Sequence, residues 1–149
     1  MIEYKDKVFH ISAPGMSYMF RADDYGLLEH LCFGPPASMA DAAALAVKPG
    51  TGWGCSVVLR EDDNASCPDV LPLEWSGAGR GDYREAPAEL ETDDGPASTD
   101  FRYEGYEIIK GCAPIKCGLP QADGGMETRV ITMRDDALKI IRAIGVDTG

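Results

Sequence analysis

Along the first third of the chain, short apolar stretches alternate with turn-forming residues. Val8-Phe9-His10-Ile11 and Ser17-Tyr18-Met19-Phe20-Arg21 flank Ala13-Pro14-Gly15. Proline presets one turn dihedral and glycine accepts a positive φ, so this spacing predicts a β-hairpin. Asp23-Asp24-Tyr25-Gly26 turns the chain again, into Leu27 through Phe33. Leu27, Leu31 and Phe33 share one face of that strand, and Leu28, His30 and Cys32 share the other. Apolar groups on both faces predict a strand covered on both sides. His30 there reads as a satisfied, half-buried histidine rather than a ligand.

Gly34-Pro35-Pro36 closes this stretch. Ser38-Met39-Ala40-Asp41 has the form of a capping box, and the alanine-rich run through Val47 predicts a helix of about ten residues. Lys48-Pro49-Gly50 stops it. The strand pattern resumes over Cys55–Arg60, followed by the acidic turn Glu61-Asp62-Asp63-Asn64. That turn lacks the alternating oxygens and the glycine of a calcium loop.

In the second half, Phe101 and Tyr103 point one way while Tyr106 and Ile108 have the opposite parity. A one-residue bulge or a break at Gly105 would return both pairs to one face. Glu127–Arg134 alternates in part, with Ile131 and Met133 on one side. Leu138, Ile141 and Ile144 instead recur at helical spacing, with Asp135 or Asp136 as a candidate cap. There is no internal repeat of fixed period. The pattern as a whole predicts an all-β domain of packed, mainly antiparallel sheets with one short helix.

Composition sharpens this picture in two ways. The 17 glycines and 10 prolines among 149 residues exceed average usage and fit many turns. The formal charge of −11 repels phosphate backbones and anionic lipid, so no nucleic-acid or membrane role is expected. No apolar run approaches the roughly 20 residues that span a bilayer, and the start of the chain lacks the apolar core of a signal peptide. The five cysteines (Cys32, Cys55, Cys67, Cys112 and Cys117) are odd in number and scattered. They read as free thiols in a cytoplasmic protein. Their spacing does not form a zinc site, and no metal or cofactor is expected.

One segment, Leu71 to Pro87, carries candidate chemistry. Gly77, Gly79 and Gly81 permit close approach of other atoms. Trp75 and Tyr83 offer flat faces, and Asp82 and Arg84 offer directional polar groups. That set suits a pyranose, with its apolar face and paired hydroxyls. It suits equally a tight corner in which Asp82 and Arg84 bind each other or backbone, and both readings stay open. A nucleotide loop fits worst, because the GxGxxG spacing is missing and no helix pattern follows.

Glu74, the glycine-rich loop into Gly81-Asp82-Tyr83-Arg84, and Pro87 resemble the motif of the amino-terminal domain of glycoside hydrolase family 36 α-galactosidases. Val8–Ile11 with Ser17–Phe20, Gly26–Leu31, Tyr106–Gly111, Gly118-Leu119-Pro120 and Glu127-Thr128-Arg129 resemble its other strands in order. The similarity runs from about Val8 to Asp136.

The resemblance implies that residues 1–149 form an amino-terminal β-supersandwich domain. Such a domain precedes a catalytic (β/α)8 barrel that is absent from this chain. It implies a parent enzyme that removes terminal α-galactosides with retention, as a homo-oligomer, commonly a tetramer. Both catalytic aspartates of the family belong to the barrel, so no catalytic residue is expected here. On the resemblance, Trp75, Asp82, Tyr83 and Arg84 become candidates to border the α-galactoside pocket of an adjacent subunit. A free-standing carbohydrate-binding module is the alternative, and an independent small enzyme with a reactive cysteine is the third.

Overall fold

The computed structural model describes residues 1–46, 57, 59–63, 65–111, 127–138 and 140–147. Four strands form an antiparallel meander: β1 (Ile2–Lys5), β2 (Val8–Ala13), β3 (Met16–Ala22) and β4 (Leu28–Gly34). The expected hairpin is β2–β3, turned at Gly15 with φ 81°. β1 was not legible, because its charged residues hide a four-residue edge. It is turned back onto β2 by Asp6 and Lys7, both with positive φ. Two successive positive φ values are the backbone of a hairpin turn that matches strand twist.

A two-stranded hairpin follows, β5 (Leu90–Thr92) with β6 (Gly95–Ala97). The second sheet contains β7 (Arg102–Lys110), β8 (Glu127–Asp135) and β9 (Ile140–Asp147), all antiparallel. The two main sheets share one core. Phe9 stacks on Phe20 at 4.8 Å and meets Tyr106 edge-on at 5.4 Å. Ile131 and Met133 of β8, each 1% exposed, join Ile11, Ala22, Leu28 and Phe101 in the same cluster. This is the expected all-β sandwich with one short helix.

The bulge at Gly105 is present. Register shifts between Tyr103 and Gly105, so Glu104 is the extra, exposed residue. Tyr103 and Tyr106 thereby both reach Phe9. Double coverage of β4 holds only for its start, where the consecutive residues Leu28 and Glu29 are both buried; Phe33 is 68% exposed, and a bulge at Leu31 breaks the expected parity. The Asp23–Gly26 turn is held by the Asp23 carboxylate, which accepts the amides of Tyr25 (2.9 Å) and Leu27 (2.8 Å). Gly26 has φ 78°, and a Cβ there would lie 3.1 Å from Cβ of Arg102. That close approach brings its carbonyl within 2.7 Å of the Tyr103 amide and ties the turn to β7.

Three expectations need correction. The helix is much shorter than about ten residues: a 3₁₀ turn over Met39–Asp41 leads into one α-helical turn, α1 (Ala42–Leu45). Alanine propensity is a weak force, and so short a helix has little ladder to reward its nucleation. Val47 lies outside the described residues. The Asp41 carboxylate does accept both the amide (2.7 Å) and the hydroxyl (2.9 Å) of Ser38.

Second, the residues after Asp136 form β9 rather than a helix. β8 offers a free edge, and Thr128–Asp135 pairs with Ile140–Asp147 along its length. Tertiary pairing overrides the three-residue spacing. Asp135 does act as a cap, but of the β8–β9 turn, where it accepts the Leu138 amide at 3.0 Å.

Third, the cysteines are not all free thiols. Cys32 is free and Cys67 is disulfide-bonded. Cys55, Cys112 and Cys117 lie outside the described residues, as do Gly118-Leu119-Pro120 and, of the expected Cys55–Arg60 strand, Ser56 and Val58.

Candidate functional site

Hydrogen bonds to β4 position the glycine-rich segment. Leu73 bridges to Glu29, the His30 amide donates to the Pro72 carbonyl (2.6 Å), and the Glu74 amide donates to the Leu28 carbonyl (2.8 Å). Pro72–Glu74 therefore runs as a short extra strand. It delivers the Glu74 carboxylate to Tyr18, whose hydroxyl donates to Oε2 at 2.6 Å, and to His30, whose Nδ1 lies 2.6 Å from Oε1. Burial, then the bond to Glu74, holds the Tyr18 phenol well above the ordinary tyrosine range. His30 is the satisfied histidine expected. Its partner Glu74 is 44 residues away, and no local signal in the chain announces that pairing.

Trp75 turns inward. Its ring meets Phe101 edge-on at 6.1 Å and 90°, against the shared core. From there the loop lies on the segment that leads into β7. The Thr99 amide donates to the Ala78 carbonyl (2.9 Å), and Ala78 donates back to Thr99 Oγ1 (3.0 Å). A Cβ on Gly77 would sit 2.5 Å from the Thr99 carbonyl oxygen, so only glycine fits this approach.

Asp82 and Arg84 hold each other. Arg84 Nε donates to Asp82 Oδ1 at 2.8 Å and Nη2 to Oδ2 at 2.8 Å, a two-pronged pair. The Arg84 amide also donates to Oδ1 (3.1 Å), and Nη2 reaches the Pro68 carbonyl at 2.7 Å. The Asp82 side chain is 1% exposed. Burial pushes its carboxyl up, but the Arg84 guanidinium, the Ser76 hydroxyl and the Arg84 amide together hold it below the ordinary range. Tyr83, between these two, projects outward with 79% of its surface exposed.

Of the two readings left open for this segment, the observed geometry is that of a tight corner. The four candidate residues occupy one loop, but they do not converge on one concavity. Trp75 faces the core, Asp82 is buried, Arg84 is half engaged, and Tyr83 faces out. The cavity beneath the loop, lined by Trp75, Gly77, Arg80, Asp82 and Phe101 among others, measures about 20 Å³. That is room for one water, far short of a sugar. Among the described residues, no group of three or more His, Cys, Asp or Glu side chains is arranged to hold a metal ion. No described helix is long and apolar enough to cross a membrane.

Other carboxylates are also committed to structure. Glu29, 1% exposed, takes Nε (2.8 Å) and Nη2 (2.7 Å) of Arg21. Asp135, also 1% exposed, accepts the Asp100 amide at 2.6 Å. Burial raises its carboxyl, and the amides of Asp100, Leu138 and Ala137 more than offset this, leaving it below the ordinary range.

Comparison with known proteins agrees with this architecture. Residues 26–143 match the glycosyl hydrolase family 36 N-terminal domain. The chain is 30% identical over 147 positions to alpha-galactosidase Mel36A of Lactobacillus acidophilus, covering 94% of this chain and 20% of that protein. It is 30% identical over 132 positions to alpha-galactosidase 1 of Pediococcus pentosaceus, covering 89% and 18%. The chain thus spans about a fifth of the length of these relatives. Among solved structures, the galactosidase domain of the alpha-galactosidase-sucrose kinase AgaSK superposes with a TM-score of 0.83 at 22% identity. That superposition covers 99% of this chain and 21% of the other. The alpha-galactosidase AgaB of Geobacillus stearothermophilus superposes at 0.75 and 23%, covering 99% and 20%. With residues 26–143 matched, the chain belongs to the glycosyl hydrolase family 36 N-terminal domain family.

Proposed function

We propose that this chain is the non-catalytic amino-terminal domain of an α-galactosidase that acts with retention on terminal α-galactosides of oligosaccharides. In this reading it packs beside a catalytic (β/α)8 barrel and supports assembly of a homo-oligomer, a tetramer. The family match over residues 26–143, in a chain one fifth the length of its relatives, carries the reading. The commitments of Glu29, Glu74, Asp82 and Asp135 support the non-catalytic part. A retaining glycosidase needs two available carboxylates about 5–5.5 Å apart, and these four are engaged by arginine, tyrosine, histidine or backbone amides.

Within the loop, Tyr83 is the residue we propose to meet a neighbouring subunit near its α-galactoside pocket. Asp82 and Arg84 hold the corner that presents it, and Trp75 roots the loop in the core. Incubating the chain alone with nitrophenyl α-galactosides checks the first claim: no turnover is expected, and turnover refutes the non-catalytic role. In the oligomeric parent enzyme, Tyr83→Ala is expected to raise KM for oligosaccharides or weaken assembly. Unchanged kinetics and unchanged oligomeric state refute the placement of Tyr83.

A further inference from the structure

β7 is an edge strand of the second sheet, and its two halves differ. The first half is tied in, through the Tyr103 amide on Gly26 and the Tyr106 ring on Phe9. The second half is open: Glu107, Ile108, Ile109 and Lys110 are all exposed, Ile108 by 52%. Among the described residues, nothing pairs with their outer edge. Proteins usually blunt such an edge with charge, proline or a bulge, because it templates strand addition. Here two consecutive isoleucines leave apolar side chains on both faces.

Directly across the ladder from Ile108, and so on the same face, stands Arg129. Its side chain is only 9% exposed. Nη1 is ion-paired with Glu127 Oε1 at 2.7 Å, and among the described residues neither Nη1 nor Nε has a hydrogen-bond acceptor in good alignment. A buried guanidinium with unfilled donors beside its ion pair can take a further carboxylate, which its planar fork matches.

We infer that the β7 edge from Glu107 to Lys110, backed by Arg129, receives an extended segment that carries an acidic side chain, supplied by another domain of a longer polypeptide. The source rests on the reading that this chain is one domain of a larger enzyme. A second copy fits worse. In an antiparallel pairing of two β7 edges, the residues brought to this face are Tyr106, Ile108 and Lys110, none of them a carboxylate for Arg129.

The test is fluorescence anisotropy of the chain with a labelled alternating Val–Glu decapeptide, against a Val–Gln control. The acidic peptide is expected to bind at least about tenfold more tightly, and Arg129→Met is expected to abolish that preference. Ile108→Asn, which removes apolar surface without adding charge, is expected to weaken both peptides. Binding of neither peptide, equal binding of both, or a preference that survives Arg129→Met would overturn the proposal.

Sedimentation supplies the other arm: a dimer that Ile108→Asn dissociates would assign the edge to a second copy instead. None of these readouts depends on Tyr83 or on galactoside turnover. The edge and the enzyme reading therefore fail separately.

Discussion

Asp82 and Arg84 are two residues apart and bind each other through two parallel hydrogen bonds of 2.8 Å, with only Tyr83 between them. The pair turns a glycine-rich stretch into a fixed corner. Asp82 is removed from water, Arg84 spans to the Pro68 carbonyl, and the intervening tyrosine is driven outward. A chemical signature equally fit for sugar recognition and for structure is here folded into a corner.

Replacing Asp82 with Ala should therefore act on folding. It strands a guanidinium and the Ser76 hydroxyl and opens space beneath the loop. Because Arg84 is partly solvated, the expected cost is about 2 kcal/mol, below that of a fully buried pair. Urea denaturation of the two proteins measures it, and an unchanged midpoint would contradict the corner.

Tyr83→Ala should be nearly silent in the same experiment. At 79% exposed, its truncation is expected to move stability by no more than about 0.5 kcal/mol. Run beside Asp82→Ala, this variant separates a residue that presents from residues that hold.

Gly77→Ala tests the contact between the loop and the segment that leads into β7. The added Cβ would fall 2.5 Å from the Thr99 carbonyl, a backbone atom that cannot swing aside. The expected destabilisation is about 1–3 kcal/mol, with amide exchange accelerating first at Ala78 and Thr99. Thermal unfolding and hydrogen exchange check the two parts.

Acid should weaken the fold through Asp82 and Asp135. Both carboxyls are held below their ordinary range in the folded state. A depressed folded value means the unfolded chain binds protons first as pH falls. The stabilisation is thus complete above the unfolded aspartate value of about 3.9 and is lost as pH drops through the folded values. Unfolding free energy measured from pH 6 to pH 2 should decline mainly below about pH 4, and Asp135→Asn should flatten that decline.

Tyr18→Phe probes the Glu74 cluster. The loss of one hydroxyl bond to a carboxylate is expected to cost about 1–2 kcal/mol. The ring's packing against the shared core should persist, so far-ultraviolet circular dichroism should change little while the unfolding midpoint falls.

The chain's own pattern determined much of this protein. The β2–β3 hairpin follows from Pro14 and Gly15, and β8 from the alternation around Ile131 and Met133. The bulge beside Gly105 follows from the phase change between Tyr103 and Tyr106. These are local consequences of backbone sterics and two-residue periodicity, so they are written where they act. Tertiary structure alone decided what depends on a distant partner. The helix-like spacing of Leu138, Ile141 and Ile144 gave way to β9 because β8 had an edge to fill. His30 and Tyr18 met Glu74 across 44 and 56 residues. The Trp75–Arg84 loop became a corner because Thr99 and Pro68 lie against it. Propensity is worth tenths of a kcal/mol per residue, roughly, and a buried contact several times that, so wherever the two compete the partner across the fold prevails.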